Sequence, residues 1–68
     1  MKFERQINAL SELSWHIKSE IDRTEVVLKE KTISDTYRAY LVMWIKQQKE
    51  EMRINLEAVD ILMQNTHA

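Results

Sequence analysis

Apolar residues recur at alternating steps of four and three along nearly the whole chain, a rhythm that leaves little room for anything but α-helix. One series runs Phe3, Ile7, Leu10, Ser14, Ile17, Ile21, Thr24 and Leu28. A second runs Leu41, Ile45, Gln48, Met52, Asn55, Val59 and Leu62. Each has the spacing of a coiled-coil seam, interrupted by Ser14, Thr24, Gln48 and Asn55. No period-two alternation of the kind that marks a strand is present. The chain has 68 residues and no glycine, proline or cysteine. That length allows one domain, without primed hairpin turns, the main helix breaker or a disulfide scaffold.

The rhythm breaks between Lys29 and Thr36, where Thr32-Ile33-Ser34-Asp35-Thr36 collects small hydroxyl and acidic side chains that compete for backbone hydrogen bonds. Thr32 with Asp35 resembles a capping box, and Ser34 is the alternative N-cap. Lys29 and Lys31 suit the negative end of a first helix. These signals predict an all-α antiparallel two-helix hairpin, coiled-coil-like, with helix one over about 2–30, a turn over about 31–33 and helix two over about 34–64. One continuous bent helix is the alternative.

Two helices sharing one seam bury little apolar surface for a stable fold. The sequence also holds apolar residues that the seam leaves out. Trp15 and Val26 lie off it, and Leu13 and Val27 flank it. Tyr37, Tyr40, Val42, Met43 and Trp44 cluster at the start of helix two, and Ile54, Leu56, Ile61 and Met63 toward its end. Residues apolar on every side of a helix imply burial on more than one side. The hairpin is therefore expected to complete a bundle by dimerisation or by binding a partner protein. Trp15, Tyr37, Tyr40, Met43, Trp44, Ile54 and Ile61 are the expected partner-binding residues.

Chemistry finds little support. Glu12, His16 and Glu20 share a helical face at metal-ligand spacing, but helix two offers acids and no histidine, and the three lie off the seam. His67 is the last residue but one of the sequence and is not expected to be a ligand. Ser14 and His16 do not share a face, and no pocket-forming loops exist, so no enzyme activity, metal or cofactor is expected. Ten basic residues oppose 11 acidic ones, for a net charge of -1. Nucleic acid is accordingly not the expected partner, an RNA-binding homodimer using Lys46 and Lys49 being the minor reading. The longest apolar run, 39–45, is too short to span a bilayer. Met1-Lys2-Phe3-Glu4-Arg5 lacks a signal peptide's apolar stretch, which points to a cytoplasmic chain; no membrane and no small-molecule substrate is expected as a partner.

Tyr37 and Tyr40, then Gln47-Gln48, then Leu56-Glu57-Ala58-Val59-Asp60-Ile61-Leu62 follow the layout of a familiar class of hairpins. In this respect the chain resembles the small α-hairpin co-chaperones of type III secretion needle subunits, differing in the spacing after the glutamines and in its glycine-free turn. The resemblance implies a heterocomplex that keeps an aggregation-prone subunit soluble. The sequence thus points to a chaperone or adaptor that masks a partner's apolar helix. The alternative is a small phage or mobile-element inhibitor that docks on a host enzyme or regulator.

Overall fold

The computed structural model describes residues 2–66 and is built of two helices, α1 (Glu4–Leu28) and α2 (Asp35–Thr66). They pack side by side as an antiparallel hairpin with Cα extents of 52 × 14 × 12 Å. His67 lies outside the described residues. The break over 29–34 excludes a single bent helix, and it is wider than the turn expected over about 31–33. The reason lies at the end of α1. No described residue has a positive φ, so the helix closes without the left-handed residue that usually caps it. Instead the Lys29 and Glu30 amides donate to the Val26 and Val27 carbonyls at 3.1 and 3.0 Å, tightening the last turn.

At the turn the structure takes the Ser34 alternative, and departs from the sequence reading at the end of α1. Ser34, not the Thr32–Asp35 box, caps α2: its Oγ accepts a hydrogen bond from the Tyr37 amide at 3.1 Å. The end of α1 is satisfied by Arg38 from the facing helix. Its guanidinium donates to the Leu28 carbonyl, and to the Glu30 carbonyl at 2.9 Å. A planar fork can reach two carbonyls at once, which a lysine ammonium at Lys29 or Lys31 does less well. Arg38 thus ties the first turn of α2 to the last turn of α1.

All fifteen seam positions are buried or half-buried. Ile17, Ile21, Leu41, Ile45 and Val59 are the buried apolar residues, and Leu28, Trp44 and Met52 pack against the cluster of Ile17, Ile21 and Ile45. The polar seam residues are accommodated in different ways. The buried Ser14 hydroxyl donates to the Leu10 carbonyl at 2.9 Å, and the Thr24 hydroxyl to the Glu20 carbonyl at 2.8 Å. Both satisfy themselves within their own helix. The Asn55 amide nitrogen is buried without a hydrogen-bond partner among the described residues. A buried donor left unpaired costs about 1–3 kcal/mol. Asn55→Leu should therefore raise the thermal midpoint by about 4–8 °C, as for a gain of about 1 kcal/mol in a domain this small. A lowered midpoint in a circular dichroism melt would show that the amide contributes to the seam.

Candidate interaction face

The pairing of the helices decides which flank of the seam is bridged by an ion pair. Lys49 of α2 lies 3.6 Å from Glu25 of α1. This ion pair crosses between the helices, so Lys49 and the residues seven apart from it, Val42 and Leu56, share the bridged flank. Glu25 pairs across the helices and not with Lys29 one turn on in the sequence. The observed pairing follows from α1 ending at Leu28 while α2 presents Lys49 alongside.

The other flank of α2 carries a second rhythm of threes and fours: Tyr37, Tyr40, Trp44, Gln47, Glu51, Ile54, Ala58 and Ile61. Tyr40 is 61% exposed, Ile61 57%, Ile54 52% and Tyr37 48%. Those fractions are large for apolar side chains in one line, and such a line marks a contact surface more than chance exposure does. The Tyr37 and Tyr40 rings stack with centroids 6.4 Å apart and planes 13° from parallel. Aromatic anchors already held against each other lose less freedom when a partner covers them. Leu13 and Val27, on the corresponding flank of α1 and both partly exposed, widen the face.

The expected partner-binding residues divide on this geometry. Tyr37, Tyr40, Ile54 and Ile61 fall on the open stripe. Met43, 63% exposed, borders it one turn from Tyr40. Trp44 belongs to both surfaces, because it is half-buried and packs on the Ile17–Ile21–Ile45 cluster while its position continues the stripe. The seam is wide enough to draw in a large ring at its edge. Trp15 does not join the others. At 70% exposed it stands on the outer face of α1, beside a shallow depression of about 340 Å³ that it lines with Glu12, His16, Ser19, Glu20 and Arg23. All six come from one helix, so the depression has no opposing wall. Sequence reasoning missed Gln47, Glu51 and Ala58 as members of the stripe. Their three-four spacing was the available signal, but residues of mixed polarity hide it until the flank is known.

Part of the surface charge is engaged in ion pairs and hydrogen bonds. Arg53 bridges Glu50 and Glu57, with Nε donating to Glu50 at 3.1 Å. That guanidinium holds the Glu50 carboxyl below the usual carboxylate range, and the two acids raise Arg53 above its own. Arg23 pairs with Glu20, Lys49 with Glu25, and Arg38 with backbone carbonyls. Cations paired in this way contribute little to phosphate binding. Among the described residues, no group of three acids or histidines could hold a metal ion, and no helix is long and apolar enough to cross a membrane. No protein-family model, curated protein or solved structure matches the chain.

Proposed function

We propose that the chain is a non-enzymatic protein-binding hairpin of the adaptor or chaperone type, which covers an apolar helix of a partner with the α2 stripe. The observation that carries this reading is the exposure of Tyr37, Tyr40, Ile54 and Ile61 in one line on a well-formed helix, with the Tyr37 and Tyr40 rings stacked at its start. A helix laid along such a line reads alternate three- and four-residue anchors, the arrangement used where helices dock in apolar grooves. The balance of 10 basic against 11 acidic residues, which leaves no excess positive charge, favours protein over RNA as the partner.

Affinity capture from the native host with the tagged chain tests the reading, with Ile54→Glu as the matched control. Ile54 lies off the buried seam, so the charge should leave the hairpin helical while desolvating a carboxylate at any docked interface. The expected result is a protein retained by the wild-type chain and lost with Ile54→Glu at equal helix content. Identical capture by both chains would place binding elsewhere and overturn the proposal.

A further inference from the structure

The stripe is complementary to itself. About a centre at position 49, its members fall at matched distances: Gln47 and Glu51, Trp44 and Ile54, Tyr40 and Ala58, Tyr37 and Ile61. Two copies of α2 laid antiparallel about that centre set every ring against an aliphatic or small side chain, and the two polar members against each other. The same rule operates inside the protomer, where an antiparallel seam sets positions of one type against positions of the other. Sliding by one heptad in either direction destroys the match. One slide sets Tyr40 on Glu51 and Trp44 on Gln47; the other sets Glu51 on Ile54 and Gln47 on Ala58. A parallel arrangement sets Glu51 directly on Glu51 of the second copy, a like-charge contact that disfavours it.

The area is also adequate. Positions 37 to 61 span about 36 Å of helix at 1.5 Å per residue, and the flank of both helices is about 20 Å wide. The face therefore offers roughly 700 Å² per copy, close to the roughly 800 Å² per partner of a standard specific interface. A hairpin whose buried apolar core is Ile17, Ile21, Leu41, Ile45 and Val59 gains most from covering it. We infer that the occupant of the α2 stripe is a second copy of this chain, paired antiparallel through α2 with Trp44 facing the partner's Ile54, to give a two-fold symmetric four-helix bundle. This inference rests on the stripe being an interaction face and names what covers it.

The full chain tests it in two measurements. Sedimentation equilibrium should give twice the chain mass at tens of micromolar, with Ile54→Glu weakening association about 100-fold or more, because each copy carries the change. A cysteine-free chain also permits clean crosslinking. Gln47→Cys and Glu51→Cys chains, mixed and mildly oxidised, should form the mixed disulfide in preference to either self-linked product. A helical monomer at every concentration, or preferential self-linking of Gln47→Cys, overturns the antiparallel self-pairing. The first of these outcomes leaves the protein-binding reading standing if host capture still depends on Ile54. Loss of that dependence as well removes both.

Discussion

Ile21→Ala should leave the chain largely unfolded at room temperature. Ile21 is the most deeply buried side chain of the hairpin, 4% exposed, and with Ile17 and Ile45 it forms the cluster on which Leu28, Trp44 and Met52 pack. Removing three carbons there loses their transfer free energy and leaves a cavity, for a cost of about 2–5 kcal/mol. A core this small supplies only about 3–5 kcal/mol of stability in total. The matched control is Val42→Ala on the bridged, exposed flank, which should change stability by less than about 0.5 kcal/mol. Urea titrations followed by circular dichroism, at a single protein concentration, read both. Equal midpoints for the two variants would mean that the cluster around Ile21 is not what holds the helices together.

Arg38→Ala should be the next most damaging change, at about 1–3 kcal/mol, or a fall of roughly 4–20 °C in the thermal midpoint. The guanidinium is the side chain that satisfies the Leu28 and Glu30 carbonyls, and the charged donor makes each bond stronger than a neutral one. Its aliphatic stem is also half-buried at the seam. Arg38→Met keeps the stem and deletes the fork, so it separates the two contributions. If the hydrogen bonds dominate, Arg38→Met falls close to Arg38→Ala, and amide exchange quickens first in the last turn of α1. A midpoint for Arg38→Met near that of the unaltered chain would assign the effect to packing and leave the carbonyl contacts without energetic weight.

These two residues also show how far local pattern reaches. Ile21 was legible in the sequence because its seam repeats over almost four heptads, and every member reinforces the phase of the rest. The same redundancy explains why all fifteen seam positions are buried or half-buried. Arg38 was not legible as a cap. In the sequence it is one cation among several, and its carbonyl partners lie eight and ten residues away, across a turn whose width no local signal specified. The stripe lies between these cases. Its apolar members could be named from composition alone, yet Trp15 entered the same list although it stands on the far face of α1, and Ala58 was passed over.

Helical periodicity, the hairpin and the identity of the seam belong to the sequence by itself, because each follows from short-range spacing repeated many times along one chain. The tertiary structure decided which flank is bridged by Lys49 and Glu25, how much of Trp44 the core takes, and that Arg38 ends α1. Those outcomes depend on the register between two helices. That register is a single global variable set by the turn, and no repeat within either helix encodes it.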